Sequence, residues 1–136
     1  MSELIRVDPR YPGAWSVLSR YLQEALERGG GDKDWSVDDI YSGVVSGHLA
    51  LWAMIKDDAI FGGGVTCVQH YPKRKVLEIL AMGADQDSPW GECLEKLAVH
   101  AQEMGLTAII GTGRAGWARH LGAKERRVFE IDLTEV

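Results

Sequence analysis

Cysteine is scarce in this chain of 136 residues, which contains only Cys67 and Cys93. They stand far apart and outside any C-x-x-C spacing, which argues against a disulfide framework and a cysteine-ligated zinc site. The four histidines are scattered along the chain without the spacing of metal ligands. We therefore expect no metal site and a reducing compartment, the cytoplasm.

Long apolar runs are missing as well, and no stretch approaches the roughly 20 apolar residues of a membrane-spanning helix. The first residues, MSELIRVDPRYPG, lack the apolar core of a signal peptide. Basic residues are outnumbered, since 15 Lys and Arg face 20 Asp and Glu for a net charge of −5. The two basic clusters, 73–75 and 124–127, carry no interleaved aromatic residues. We expect neither membrane association nor non-specific nucleic-acid binding.

Apolar residues and glycine are plentiful, at 46% of the chain and 16 residues respectively. A chain of this length and apolar content can form a stable core without disulfide bonds or bound metal ions. No repeat, low-complexity tract or long linker interrupts it. We therefore expect a single domain over residues 1–136.

Two helices are predicted near the N-terminus. The segment GAWSVLSRYLQEALERG carries apolar residues at helical spacing and ends at Gly29. The stripe consists of Trp15, Leu18, Leu22 and Leu26. A short second helix is predicted to begin after Ser36, because Ser36 and Asp39 have the spacing of a capping box.

Three strands are predicted next, at 48–58, 59–72 and 75–83, and a further N-terminal strand is allowed at 4–7. In the third, Glu78 is the single polar residue of an aliphatic run, which indicates a central strand buried on both faces. The glycines of FGGG, 61–64, indicate a bulge or the close approach of another backbone, with a ligand contact as the alternative.

The period then returns to that of a helix, with Ser88 as the expected N-cap, Pro89 at the first helical position and Gly105 just past the end. A short strand at 106–113 completes a strand–helix–strand crossover. A helix at 114–122 and a last alternating strand at 126–136 follow. The expected fold is α/β, with a mixed central sheet and helices on both faces.

This order of elements, at this length, resembles the GCN5-related N-acetyltransferase (GNAT) superfamily over residues 10–135. The segment GTGRAGWARHLGAK, 111–124, matches the place where that family has its fifth strand and fourth helix. With Trp90, it is similar more narrowly to the small divergent GNAT-like proteins encoded by bacteriophages and prophages. The resemblance implies a three-layer fold whose sheet has six or seven strands.

The resemblance also implies acyl-CoA-dependent N-acyl transfer, with acetyl-CoA or CoA as the cofactor and a small molecule or protein partner in the central cleft; a homodimer is compatible with it. Family members bind the CoA pyrophosphate where the fourth strand of the family meets the next helix. By position, this assigns cofactor binding to Met82, Gly83, Ala84, Trp90, Gly91 and Glu92.

The loop at that junction departs from the family pattern Arg/Gln-x-x-Gly-x-Gly/Ala, because it contains Asp85 and Asp87 and no basic residue. Each carboxylate near a pyrophosphate would repel it by roughly 1–4 kcal/mol. Three interpretations stay open: the aspartates neutralise the helix N-terminus, they hold a cation, or the CoA loop is displaced.

The resemblance assigns the general base to Glu78, although an ion pair with a neighbouring strand's Arg or Lys is the alternative. Ala118 occupies the position of the family's tyrosine acid, and His120 is expected to face away. Arg114 either clamps an anion in the cleft or pairs with the acidic loop. Trp117 is either a core residue or a stacking platform.

Two functions therefore stay open. One is an N-acyltransferase that uses Glu78 and a non-standard loop. The other is a non-catalytic binding or virion-assembly protein on the same scaffold, encoded by a phage or prophage and acting in the host cytoplasm.

Overall fold

A computed structural model describes residues 1–111, 115–126 and 129–134, with the side chains of 115 and 116 excepted. These residues form five strands and four helices, with a 3-10 turn at Gly31–Lys33. In chain order they are β1 (Glu3–Arg6), α1 (Ala14–Gly29), α2 (Val37–Val45), β2 (Ala50–Lys56), β3 (Ala59–His70), β4 (Lys75–Ala84), α3 (Trp90–Glu103), β5 (Ala108–Gly111) and α4 (Ala115–Leu121).

The strands form one mixed sheet in the order β1-β2-β3-β4-β5. The pairs β1–β2, β2–β3 and β3–β4 are antiparallel, whereas β5 runs parallel to β4. A parallel neighbour needs a crossover, and α3 supplies it. The predicted N-terminal strand, hairpin and crossover are thus confirmed, and the third predicted strand, β4, lies between β3 and β5.

The expected sheet of six or seven strands is wrong, because the described sheet has five. Residue 126 and residues 129–134, which were expected to continue the sheet, form no strand. Their alternating apolar side chains Phe129, Ile131 and Leu133 are exposed. Alternation becomes a strand only where a partner and a buried face are available, and this segment has neither in the described structure.

Two hydrophobic layers hold helices to opposite faces of the sheet. On one face, α1 and α2 bury Leu18, Leu22, Leu26 and Ile40 against the sheet. On the other face, α3 buries Cys93, Leu94, Leu97 and Ala101. The helical stripe predicted for α1 supplies three of its four buried residues, so the three-layer arrangement follows from amphipathic spacing.

The helix ends agree with the sequence at some points and differ at others. Ser36 Oγ accepts from the Asp39 N–H at 3.1 Å while Asp39 Oδ2 accepts from the Ser36 N–H at 3.0 Å, so the predicted capping box is confirmed. Ser88, in contrast, is not the N-cap of α3. Pro89 takes that place, and the Ser88 hydroxyl donates to the Asp85 carbonyl at 2.6 Å instead.

The glycines of FGGG serve packing. The register of β3 on β2 shifts so that Met54 pairs with Gly62 and Ile55 with Ile60, which leaves Phe61 as the bulged residue. A β-carbon added at Gly63 would lie 2.8 Å from Leu18 Cδ2. The expected bulge is therefore present, and the missing side chain lets α1 lie directly on β3.

Candidate functional site

β4 bulges in its second half. Its pairing with the described part of β5 joins Val76–Ile79 to Ala108–Gly111, and β4 itself continues to Ala84. At the same point the register on β3 shifts, because Thr66 pairs with Ile79 and Val65 with Ala81. Leu80 is thus a bulged residue. Bulges redirect the backbone and are common beside active sites, so this bulged segment of β4 is the candidate site.

Glu78 lies just before the bulge, opposite Cys67 on β3 and Ile110 on β5. Its half-buried carboxylate accepts a hydrogen bond from Gln69 Nε2 at 2.8 Å. Within the described residues no Arg or Lys pairs with it, so the ion-pair alternative finds no support there. Gln69 holds the carboxylate in one orientation while leaving it able to accept a further proton.

Cys67 is an unsuitable nucleophile despite its place beside Glu78. Burial raises the pKa of the thiol, and the Glu78 carboxylate raises it further. A raised pKa keeps the sulfur protonated at neutral pH, whereas nucleophilic sulfur is the thiolate. Acid–base chemistry at this site therefore falls to Glu78.

Gly83, near the end of β4, faces α1. A β-carbon there would lie 3.0 Å from the Tyr21 carbonyl oxygen and 3.3 Å from Arg28 Nη2. The glycine thus permits close contact between helix and strand. This contact also brings the Arg28 guanidinium to the end of β4, so a basic group from α1 lies beside a loop that has none of its own.

The acidic loop after β4 is held by hydrogen bonds. The Tyr21 hydroxyl donates to Asp85 Oδ1 at 2.9 Å, and the Asp85 N–H donates to the Phe61 carbonyl at 2.8 Å. Burial, and next the hydrogen bond to Asp85, raise the pKa of Tyr21 to about 12. Asp87 is exposed and has a positive φ of 63°. Asp85 is therefore engaged in structure, and Asp87 points its carboxylate toward solvent.

Of the other residues assigned to cofactor binding, Met82 and Ala84 lie against the core on the α3 side. Their side chains serve packing, so only their backbone groups can meet a ligand. Glu92 accepts hydrogen bonds from Ser2, both from its N–H at 3.2 Å and from its hydroxyl. These bonds lower the pKa of Glu92. Glu92 therefore fastens the start of β1 to α3.

An aromatic cluster joins α4 to the first turn of α3. The Trp90 and Trp117 rings stack with centroids 5.3 Å apart and planes 17° apart. Trp117 is half-buried against the core, as the core interpretation expects, and its partner Trp90 begins α3. Stacking thus fixes the distance between the two helices.

His120 belongs to this cluster, contrary to the expectation that it faces away. Its Nε2 lies 3.3 Å from Glu95 Oε1, and its ring meets Trp90 edge-on with centroids 5.5 Å apart. A β-carbon at Gly91 would lie 2.7 Å from His120 Cε1. Sequence reasoning missed this contact, although a glycine in the first turn of a helix is a signal of close approach.

Two further residues complete the account of the site. Arg114 lies outside the described residues, so its two interpretations stay predictions. Ala118 lies in α4, and alanine cannot donate a proton.

Across the described ranges there is no group of three or more His, Cys, Asp or Glu that could hold a metal ion. Nor does any helix in them have the length and apolar character to span a membrane.

Several solved structures with a similar arrangement are described as acetyltransferases. A predicted acetyltransferase from Clostridium acetobutylicum, solved with acetyl-CoA, matches with a TM-score of 0.73 at 15% identity, over 100% of this chain and 99% of that one. This is the GNAT acetyltransferase fold. An aminoglycoside acetyltransferase from an uncultured soil metagenomic sample matches with a TM-score of 0.69 at 15% identity, over 98% and 99% of the two chains.

A third match is AAC(6')-Iy in complex with a bisubstrate analogue, CoA-S-monomethyl-acetylneamine. Its TM-score is 0.67 at 12% identity, over 97% of this chain and 98% of that one. No family model matches this sequence. No curated protein matches it either. At such identities the likeness establishes the fold, and the function has to be argued from the site.

Proposed function

We propose that this protein is an N-acyltransferase that uses acetyl-CoA or another acyl-CoA. The observation that carries the proposal is the place of Glu78 on β4, two residues before the bulge at Leu80. A carboxylate beside a bulged stretch of strand can serve a reaction at a ligand laid along that stretch.

The residues present fit a CoA thioester. Backbone groups of β4 beyond Ile79 are not paired with the described part of β5, and in this proposal they meet the amides of a pantetheine arm. The first turn of α3, Trp90 to Glu92, offers backbone N–H groups and a positive helix end to a pyrophosphate. Arg28 supplies the cation that the loop itself lacks. CoA, when bound there, supplies an activated acyl group.

Asp85 and Asp87 repel a bound pyrophosphate less strongly than the sequence alone suggests. The Tyr21 hydroxyl occupies one oxygen of Asp85, which draws its charge toward α1. Asp87 is exposed, where water and salt screen its charge. The repulsion that each adds is therefore at the lower end of the roughly 1–4 kcal/mol range.

In the reaction, Glu78 takes the proton from the acceptor amine, and Gln69 keeps its carboxylate oriented toward the site. The protein offers no tyrosine acid in α4, since Ala118 occupies that place. The proton taken by Glu78 would return to solvent, and solvent would supply the proton for the CoA thiol. The acceptor is a small amine that reaches the Glu78 carboxylate.

Glu78→Gln tests the proposal, with release of free thiol from acetyl-CoA measured against a panel of primary amines. We expect a loss of transfer of about 100-fold or more, because the amide cannot accept the proton. CoA affinity, measured by calorimetry, should stay unchanged. Glu103→Gln, at an exposed residue at the end of α3, is the matched control. Transfer by Glu78→Gln at the wild-type rate would refute the assigned base.

The alternative is a non-catalytic binding or assembly protein of the kind encoded by phages. Two observations favour it: the loop at 85–87 is acidic where a pyrophosphate should bind, and Ala118 replaces the expected acid. Under this alternative, CoA at millimolar concentration gives no heat and no thermal shift. Under the proposed enzyme, CoA binds even when no acceptor is known.

A further inference from the structure

A groove of about 500 Å³ lies between the loop that follows β1 and the first turns of α1 and α2. Its walls are mainly aromatic and charged side chains, namely Arg10, Tyr11, Trp15, Asp38 and Tyr41. No part of the proposed acyl-transfer site lines it. It therefore offers a second place for a ligand.

The groove and the proposed acyl-transfer site are separated across the sheet. The loop that lines the groove follows β1, the edge strand in the order β1-β2-β3-β4-β5, whereas Glu78 lies on β4, three strands away.

The loop that forms one wall is rigid. The Tyr11 N–H donates to the Asp8 carbonyl at 3.0 Å, and the Ala14 N–H donates to the Tyr11 carbonyl at 3.1 Å, which makes two consecutive turns. Pro9 and Pro12 fix their own φ angles within these turns. A wall that is already ordered loses little conformational entropy when a ligand binds.

Three aromatic side chains converge on the groove. Trp15 and Tyr41 meet edge to face, with centroids 5.2 Å apart and planes 68° apart. Tyr11, across the loop, is 71% exposed although it is a large apolar ring in a well-ordered turn. Aromatic faces carry partial negative charge, and several of them around one space favour a cation.

The charges around the groove also favour a cation. Arg10 is neutralised by Asp8, to which it donates from Nε at 3.0 Å and from Nη2 at 2.9 Å. These bonds lower the pKa of Asp8 and raise the pKa of Arg10. Asp38, exposed in the first turn of α2, has no ion-pair partner among the residues that the structure describes. One carboxylate therefore remains for a ligand.

We propose that this groove binds a small organic cation, an alkylammonium group, between the rings of Tyr11, Trp15 and Tyr41 with Asp38 as its counter-ion. Quaternary and primary ammonium groups both carry the positive charge that this groove would bind. None of the residues that line the groove belongs to the proposed acyl-transfer site, so this ligand is a second ligand and not the acceptor amine of that reaction.

Titration of the 15N-labelled protein with choline tests the proposal, with the indole N–H signal of Trp15 as the readout. The control ligand is 3,3-dimethyl-1-butanol, which has the shape of choline without its charge. We expect choline to bind with a dissociation constant of roughly 1 mM and the neutral alcohol at least about tenfold more weakly. Tetramethylammonium should compete with choline, and spermidine shows whether primary ammonium groups bind as well.

Two variants locate the binding. Tyr11→Ala and Asp38→Asn should each weaken choline binding by about fivefold. Tyr71→Ala and Asp32→Asn, at exposed positions elsewhere, should leave it unchanged. Circular dichroism confirms that the variants are folded. Equal binding of the neutral alcohol, no shift of the indole signal at about 50 mM choline, or full binding by both groove variants would each overturn the proposal.

Discussion

The imidazole of His120 lies directly on Gly91, so that a β-carbon at position 91 would be 2.7 Å from Cε1 and 2.8 Å from Nε2 of the ring. Gly91 is in the first turn of α3, and His120 is in the last turn of α4. A glycine in a helix is ordinarily a weakness. Here it admits a ring from another helix, and the ring in turn reaches Glu95.

Gly91→Ala tests this contact through its dependence on His120. Alanine in place of glycine should stabilise α3 by up to about 1 kcal/mol, but the new methyl group displaces the imidazole. We therefore expect the full gain only in a His120→Ala background and a smaller gain in the wild type. Urea unfolding of the four proteins of this cycle measures the difference. Equal gains in both backgrounds would show that the ring is not seated on Gly91.

Much of the architecture could be predicted from the sequence because it depends on local patterns. The spacing of Leu18, Leu22 and Leu26 predicts α1 and its buried face. The Ser36 and Asp39 pair predicts the start of α2. The last strand could not be predicted correctly, because alternation at Phe129 and Ile131 says nothing about whether a sheet edge is there to receive it.

The candidate site was harder to predict because its contacts join distant parts of the chain. Glu78 was predicted as the general base from the resemblance, since it is the one acidic residue in an apolar strand. The roles of its neighbours depend on packing instead: Gly83 meets Tyr21 and Arg28 from α1, and Glu92 meets Ser2 from β1. Neither contact has a local sequence pattern. A loop read as purely acidic thus has a basic group beside it.

The phenol of Tyr21 should ionise at a higher pH than that of an ordinary tyrosine. Burial and the bond to Asp85 raise its pKa to about 12, so the neutral phenol is favoured in the folded state. Because the folded pKa is above the unfolded value near 10, this contribution to stability is present below pH 10 and is lost between about pH 10 and 12. Spectrophotometric titration near 295 nm should show a late component that is absent in Tyr21→Phe. If the component persists in that variant, the assignment is wrong.

Thr66→Val should destabilise the protein by about 1–3 kcal/mol. The indole Nε1 of Trp52 donates to Thr66 Oγ1 at 2.9 Å, and both residues are buried. Valine fills the same space but leaves the indole N–H without an acceptor. The same substitution at Thr107, which is exposed, should change the free energy of unfolding by less than about 0.5 kcal/mol. Equal urea midpoints for the two variants would contradict this role for Thr66.

Glu92→Gln should lower stability at neutral pH and not in acid. Hydrogen bonds from Ser2 lower the pKa of Glu92, so the folded state favours the carboxylate. The contribution is therefore present above the unfolded pKa near 4.3 and is lost as the pH falls through the lower folded pKa. Thermal unfolding of both proteins between pH 3 and 7 should give melting curves that converge in acid. In a Ser2→Ala background the difference in melting temperature at pH 7 should be smaller. A constant difference at every pH would contradict the role of the Ser2–Glu92 hydrogen bonds.

The most direct test of the account is calorimetric titration of acetyl-CoA into the wild-type protein at low salt. The proposed site predicts a dissociation constant of roughly 100 μM or tighter, about −5.5 kcal/mol. Arg28→Ala should weaken it, while Lys33→Ala, in the exposed 3-10 turn beyond α1, should not. Absence of heat at millimolar acetyl-CoA and free CoA would contradict the account and leave the fold as the scaffold of a non-catalytic protein.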